Sequence, residues 1–340
     1  MVKRCALIGL GMVAPTHVAA LRASERVALS GIWGRDPDKA SAFAQTHEVA
    51  QVYPDLAALA ADEALDFVIV TTPPNARVDL VERLVAAGRP ILMEKPIERN
   101  YAAAQQIVAL CEAASVPLGI VLQHRARAAS RHLKTAIDTG TLGDVTNVEI
   151  RVPWWRDQAY YDAPGRGTYA RDGGGVMITQ AIHTLDLVLW LLGPVAQVQA
   201  LMHRTPMHDL EAEDWAGALL RFDSGAIGTM MATTAAFPGT AESLTVQGTK
   251  AAAHLAEGVL TLHHLDGRVE TIGASAATGG GADPMAFTHD WHQAVIEDFA
   301  ESLDTGRAPL ASGRDALRAH AVIDAMETAS KSGRTTEVTR

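Results

Sequence analysis

The stretch Cys5-Ala6-Leu7-Ile8-Gly9-Leu10-Gly11-Met12-Val13-Ala14 decides the fold. Its first four residues are an unbroken apolar run, the mark of a strand buried on both faces. Two glycines one residue apart follow, and then a helical run to about Leu21. Strand, glycine turn and helix in that order form the context that a dinucleotide site requires. Gly9 makes the turn, Gly11 lets a pyrophosphate approach the backbone, and Ala14 is small enough for helix and strand to pack. The helix start, with Met12 and Val13, then faces the phosphates. A glycine turn with no ligand is the plain alternative.

Reading outward, strands and helices alternate. Val27 to Trp33 reads as a second strand. Asp36-Pro37 reads as an N-cap and first helical residue, opening a helix to about His47. Asp66 to Thr71 is a strand, Asn75 to Ala87 a helix closed by Gly88, and Ile91-Leu92 a strand. Tyr101 to Ala114 is a helix and Leu118 to Leu122 a strand. That alternation predicts a doubly wound parallel sheet over residues 1–123. After Gln123 the rhythm changes. Arg127 to Asp138 and Val176 to Leu192 read as helices, Val145 to Val152 as a strand, and Val195 to about Glu270 as successive strands with short turns. Two helices finish the chain, about Pro284 to Thr305 and Arg314 to Ser330. Residues 124–340 are therefore expected to form an α+β domain with a largely antiparallel sheet. The glycine-rich loop Ala274 to Asp283 caps a site or reaches a partner.

The chain has 340 residues, more than one core normally serves, so two domains are expected. A net charge of −10 argues against nucleic acid as a partner. Cys5 and Cys111 fall in a strand and a helix and do not suggest a disulfide framework. No cysteine or histidine spacing suggests a metal site, and His289/His292 are too isolated to claim one. The N-terminus shows no cleavable apolar segment, and the longest apolar run, near Leu187 to Leu192, is too short to span a bilayer. A soluble, cytoplasmic protein is expected.

The motifs beyond the glycine turn carry the chemistry. Glu94-Lys95-Pro96 follows an apolar strand. A lysine at the carboxyl end of such a strand points into the crevice where ligands bind, and the proline ends the strand behind it. An NAD site expects an acid at the end of the second strand; here Gly34-Arg35 stand there, an arrangement that suits a 2′-phosphate and leans toward NADP. Thr71-Thr72-Pro73-Pro74-Asn75 can line the ribose of the nicotinamide, or start a helix with Asn75 as cap. Gln123 ends the fifth strand and, with Glu94 and Lys95, is expected to contact the cofactor; Arg125 lies just beyond. Gly173-Gly174-Gly175 precede a helix on which Thr179 and His183, four apart, share a face, with Asp186 placed to orient His183. A neutral histidine suits removal of an alcohol proton; a core histidine bonded to Asp186 is the plain alternative. Trp154, Trp155, Arg156, Tyr161 and Arg166 crowd one loop, fit to bind a sugar ring or to pack on a neighbouring subunit.

Together these residues resemble the Gfo/Idh/MocA oxidoreductase family, over essentially the whole chain. The resemblance rests on Gly9 to Ala14, on Glu94-Lys95-Pro96, on Gly173 to Gly175 with His183 and Asp186, and on Asp298-Phe299 through Gly306, Pro309 and Ser312-Gly313. It implies a Rossmann domain followed by a domain whose open sheet face forms a homo-oligomer interface, as a dimer or tetramer. It implies that Lys95 contacts the reacting hydroxyl and that His183 is the acid/base. Many members carry an aspartate where this chain has Thr179, and a histidine near the position of Arg77. The expected activity is NAD(P)-dependent hydride transfer at a secondary hydroxyl or ketone of a sugar, pyranoside or cyclitol. Lys95, Thr179 and His183 would be catalytic, and Lys95, Arg125 and the aromatic loop would bind substrate. An acidic sugar or cyclic dihydrodiol is the alternative substrate. A non-catalytic NAD(P)-binding sensor or scaffold is the alternative of another class.

Overall fold

A computed structural model describes residues 2–275, 279–281, 285 and 287–339. The chain divides into two compact units, Met1–Gln123 with His289–Leu317, and His124–Thr288 with Arg318–Arg340.

In the first unit, β1 (Lys3–Ile8), β2 (Val27–Trp33), β3 (Phe67–Val70), β4 (Ile91–Glu94) and β5 (Leu118–Val121) form a sheet in the order β2-β1-β3-β4-β5. All pairings are parallel. Every residue of β3, β4 and β5 is buried, as expected where helices cover both faces. The strand order reverses between β1 and β3, the point where such sheets bind ligands. Residues 289–317, read from the sequence as part of the second domain, fold with this unit. Helix Asp290–Thr305 supplies Phe299, whose ring centroid lies 5.3 Å from that of Phe67. It sits so close to Gly119 that a Cβ there would meet the Phe299 ring at 2.6 Å.

Asp36 caps its helix as expected, accepting from the N–H groups of Asp38 and Lys39 at 3.1 Å. Asn75 does not. It lies in a 3-10 turn, Pro74–Ala76, and helix Val78–Ala86 starts behind Arg77 with no side-chain cap. The paired prolines force an extra turn before the α-helix can begin.

In the second unit, nine strands pair: β6 (Val145–Pro153), β7 (Val195–His203), β8 (Trp215–Phe222), β9 (Ile227–Thr233), β10 (Ser243–Gly248), β11 (Ala251–Ala256), β12 (Val259–His264), β13 (Val269–Gly273) and β14 (Thr336–Glu337). Their order is β13-β12-β11-β10-β6-β9-β8-β7-β14, antiparallel throughout except for β6 with β9. Burial alternates along β6, β8 and β10. The inward face packs with helices Ala128–Asp138 and Ile182–Leu192 around Leu133, Leu185 and Val188. The outward face shows Leu201, Leu219 and Ile227, each more than half exposed.

The helix expected over Val176 to Leu192 has two parts. Met177–Ala181 is a π-helical turn, and Ile182–Leu192 is α-helical. Its first turn is pinned by Glu213, whose carboxylate accepts from Gly175 N and Met177 N, both at 3.0 Å. The Glu213 carbonyl accepts from Val176 N at 2.9 Å. Of the loop expected at Ala274 to Asp283, residues 276–278, 282 and 283 lie outside the described residues, as does the helix start placed at Pro284.

Candidate active site

The first unit builds a nucleotide cradle at the strand-order reversal. Gly9 has φ +95°, and a Cβ there would lie 2.8 Å from Thr72 N, so only glycine lets the loops after β1 and β3 meet. A Cβ on Gly11 would meet nothing within 4 Å, which leaves open space over the turn. Helix Ala14–Ala23 begins at Val13 with no side-chain cap, so its first N–H groups have no side-chain acceptor. Ala14 is fully buried and Met12 half exposed.

Beside this turn, Thr71 and Thr72 separate. Thr71 Oγ1 donates to Gly9 O at 2.7 Å and so braces the turn. Thr72 Oγ1 is buried with no hydrogen-bond partner among the described residues, and so is Gln123 Oε1 at the end of β5. A buried polar atom left without a partner in a cleft is where a ligand group fits. The open turn, the uncapped helix and these two orphan oxygens fit a dinucleotide. Gly34 is half-buried and Arg35 exposed at the end of β2. Pro73 is half-buried and Asn75 exposed.

Lys95 is half-buried directly after β4. Its neighbour Glu94 turns into the protein, where Oε1 lies 2.9 Å from His17 Nε2 and 3.6 Å from His292 Nε2. Burial opposes the Glu94 anion, but the hydrogen bonds from His17 and His292 outweigh it and hold the carboxyl well below the usual carboxylate range. Burial lowers His292, which keeps it neutral near pH 7. His292, which looked isolated in the sequence, thus meets His17 and Glu94, with ligand atoms all within 4.8 Å of one another. Hydrogen bonding explains the cluster better than a metal does. His17 Nδ1 has no partner among the described residues, whereas a metal-bound imidazole normally donates its second N–H to an acceptor. The Glu94 carboxylate, expected to contact cofactor, is thus turned onto His17 and His292.

Arg77 ties the same loop. Only 2% exposed, it donates to Thr72 O at 2.6 and 3.0 Å, to Glu94 O at 2.5 Å and to Pro96 O. Sequence reasoning noted Arg77 only as a departure from the family pattern.

The second unit carries His183, 6% exposed, two residues beyond the end of the π-helical turn. Both Asp186 oxygens accept from Arg125, at 2.6 and 2.7 Å, forming a buried bidentate pair. Arg125 is thus neutralised within the protein. The ring stacked on His183 is His124, with centroids 5.0 Å apart and planes at 24°. Thr179 is half-buried, bonds Gly175 O at 2.6 Å and contacts Gln180 Oε1. Gln180 Nε2 donates to Tyr160 OH at 3.1 Å, and Arg166 Nη1 donates to the same oxygen at 2.8 Å. A hydrogen-bonded chain therefore runs from Arg166 to Thr179.

The aromatic loop is more inward than its composition suggested. Trp154 is 6%, Arg156 2% and Tyr161 7% exposed. Arg156 donates to the carbonyls of Trp155, Gly279 and Gly281, and Tyr161 OH bonds Thr234 Oγ1 at 2.6 Å. Trp155 packs edge-on against Phe237. The polar groups of Arg156 and Tyr161, expected to meet substrate, are engaged in holding the loop together.

A parallel sheet with an open glycine turn at the point where its strand order reverses has the form of an NAD(P)-binding Rossmann domain. Residues 3–121 match the model of the oxidoreductase family with an NAD-binding Rossmann fold, and residues 130–254 match that of the GFO/IDH/MocA C-terminal domain. The chain belongs to the Gfo/Idh/MocA family. It is 27% identical to a D-apiose dehydrogenase of Rhizobium rhizogenes, over 98% of this chain and 96% of that one. It is 26% identical to an inositol 2-dehydrogenase of Rhizobium meliloti, over 96% of each. The WlbA dehydrogenase of Bordetella pertussis, solved with NADH and UDP-GlcNAcA, superposes with a TM-score of 0.84 at 26% identity over the full length of both chains.

Proposed function

We propose that this protein transfers hydride between a nicotinamide cofactor and a secondary hydroxyl or ketone of a neutral sugar, pyranoside or cyclitol. The observation that carries the reading is the state of the polar groups. In the cradle Thr72 and Gln123 are left open, while in the second unit Arg125, Arg156 and Arg166 each already donate to a protein acceptor. Full-length similarity to an apiose dehydrogenase and an inositol dehydrogenase supports a polyol-like substrate.

The pyrophosphate would lie over Gly9 to Ala14, with Thr72 and Gln123 toward the nicotinamide half. The bound nicotinamide supplies the hydride donor or acceptor at its C4. Lys95 is the proposed donor to the substrate oxygen, stabilising the negative charge that develops there. His183 takes up or returns the hydroxyl proton. Thr179 holds substrate through its hydroxyl at the end of the chain from Arg166. Arg35, exposed beyond Gly34, supports NADP, because Asp36 is engaged as a helix cap. The apolar outward residues of the second unit's sheet support a homo-oligomer through that face.

An acidic sugar is the second reading, motivated by Arg125, Arg156 and Arg166. Their pairing with Asp186, with backbone carbonyls and with Tyr160 favours the neutral substrate. The test is reduced-nicotinamide absorbance over neutral and acidic sugars and cyclitols, with NADP and with NAD. Lys95→Ala and His183→Ala should each abolish turnover while cofactor binding persists. Unchanged turnover in both variants overturns the reading.

A further inference from the structure

We infer that Thr179 meets substrate as a hydrogen-bond acceptor only, so that the second unit selects a sugar or cyclitol offering it a hydroxyl besides the one that reacts. The inference rests on the proposed function and deepens it. It follows from where one proton can go. A threonine hydroxyl carries one proton and two acceptor lone pairs. Thr179 Oγ1 lies 2.6 Å from Gly175 O, four residues back in the chain, and is in contact with Gln180 Oε1. Both of these are carbonyl oxygens, which only accept, so whichever of them takes the Thr179 proton keeps it inside the protein. Turning the Gln180 amide over changes nothing at Thr179. Nε2 would then donate to Thr179 Oγ1, and the threonine proton would rest on Gly175 O. In both arrangements every further hydrogen bond of this hydroxyl is one that it accepts.

The surroundings hold this polarity in place. Gly175 O also accepts from Thr179 N at 3.1 Å, and Gly175 N donates to Glu213 Oε2 at 3.0 Å, so the residue is held through its carbonyl and its N–H. Gln180 is 5% exposed, and the far end of its amide bonds Tyr160 OH at 3.1 Å. That oxygen accepts in turn from Arg166 Nη1 at 2.8 Å. A substrate group that hydrogen-bonds the half-buried Thr179 hydroxyl must therefore bring the proton. In the proposed function the reacting hydroxyl gives its proton to His183, so the group that donates to Thr179 is a second hydroxyl. A carboxylate or ether oxygen in its place has no proton and faces Thr179 acceptor to acceptor, which selects against it.

The test uses the intact protein with whichever of myo-inositol, D-glucose or D-apiose the wild type oxidises, and with the singly deoxygenated and singly fluorinated derivatives of that compound. Fluorine in place of a hydroxyl accepts weakly and cannot donate, so it rescues an accepted contact and not a donated one. At one hydroxyl that does not react, both derivatives should lose about tenfold or more in kcat/KM, the fluorinated one faring no better than the deoxygenated one. In Thr179→Val that gap should largely close, because the acceptor is gone. In Thr179→Ser, which keeps the hydroxyl, it should persist. A gap that Thr179→Val leaves unchanged at every position overturns the inference. So does a gap closed by Thr179→Val at a position where fluorine had restored wild-type turnover. If Thr179→Val does not fold, the wild-type panel decides alone: fluorine restoring activity at every hydroxyl that does not react overturns the inference. A wild type inactive on all three parent compounds instead overturns the proposed function.

Discussion

Replacing Arg77 with methionine tests whether one buried cation holds the Lys95 loop in place. Arg77 is 2% exposed and donates to carbonyls of two separate loops, Thr72 on one side and Glu94 and Pro96 on the other. Burial pushes its guanidinium down to about 10, against the opposing pull of Glu94 and Glu98. That fall from 12.5 corresponds to about 3 kcal/mol, which a neutral side chain recovers. Methionine nearly matches the length but supplies no donors. Each buried carbonyl left without a partner costs about 1–3 kcal/mol, so the carbonyls of Thr72, Glu94 and Pro96 together lose about 6 kcal/mol. The net loss is about 3 kcal/mol. In a unit of about 150 residues, 1 kcal/mol shifts Tm by about 2–4 °C, so Arg77→Met should melt about 6–12 °C lower. Arg77→Lys keeps the charge without the fork and should fall between wild type and Arg77→Met. Circular dichroism melts with and without NADP measure the shift, and the KM for NADP should rise as the loop slackens. A Tm within about 1 °C of wild type, with KM unchanged, refutes the argument.

Further outcomes follow from the same geometry. Gly9→Ala places a methyl 2.8 Å from Thr72 N at a φ of +95°, so the KM for either cofactor should rise at least about tenfold in steady-state assays. Gly175→Ala puts a Cβ 1.7 Å from Glu213 O, a backbone clash that should cost more than about 3 kcal/mol in chemical denaturation. Burial, eased by its backbone hydrogen bonds, pushes the Glu213 carboxyl up to about 7. Protonated Glu213 therefore stabilises the fold below its ordinary value of 4.5, and that stability is lost as pH rises through about 7. The stability of wild type relative to Glu213→Gln should fall by about 3 kcal/mol across that window and stay level above it, as read from urea midpoints at successive pH values.

The parallel sheet was legible because its signals are local. An apolar run, a glycine pair and a helical run within ten residues specify one another, and Asp36-Pro37 marks its helix start without outside help. The π-helical turn was not legible, and the Glu213 carboxylate that holds its start lies 36 to 38 residues away. For the same reason candidate residues could be named while the groups they bond could not. Asp186, three residues past His183, also accepts through both oxygens from Arg125, 61 residues away in the chain. His17 and His292 lie on different helices 275 residues apart, so nothing in the sequence joins either to Glu94. Residue type showed which chemistry was available; hydrogen bonding shows which groups are still free to perform it.

That distinction reassigns one pair of neighbours. Thr71 and Thr72 read alike in the sequence, as polar groups at a strand end, but their hydroxyls have opposite fates. Thr71 Oγ1 donates to Gly9 O, whereas Thr72 Oγ1 is buried without a partner among the described residues. Valine at position 71 removes a made hydrogen bond and strands a carbonyl, which should cost about 1–2 kcal/mol in the free protein. Valine at position 72 removes only an unsatisfied hydroxyl, so the free protein should be as stable as wild type or slightly more so. The order reverses once cofactor binds. Thr72→Val should raise the KM for the nicotinamide cofactor and reduce the thermal protection that cofactor binding confers. Thr71→Val should keep most of that protection from its lower starting Tm. Calorimetric melts of both variants with and without NADP separate the two roles. If Thr72→Val is the less stable free protein and keeps full protection, the orphan hydroxyl is no mark of a ligand contact, and the placement of the nicotinamide half beside Thr72 and Gln123 fails with it.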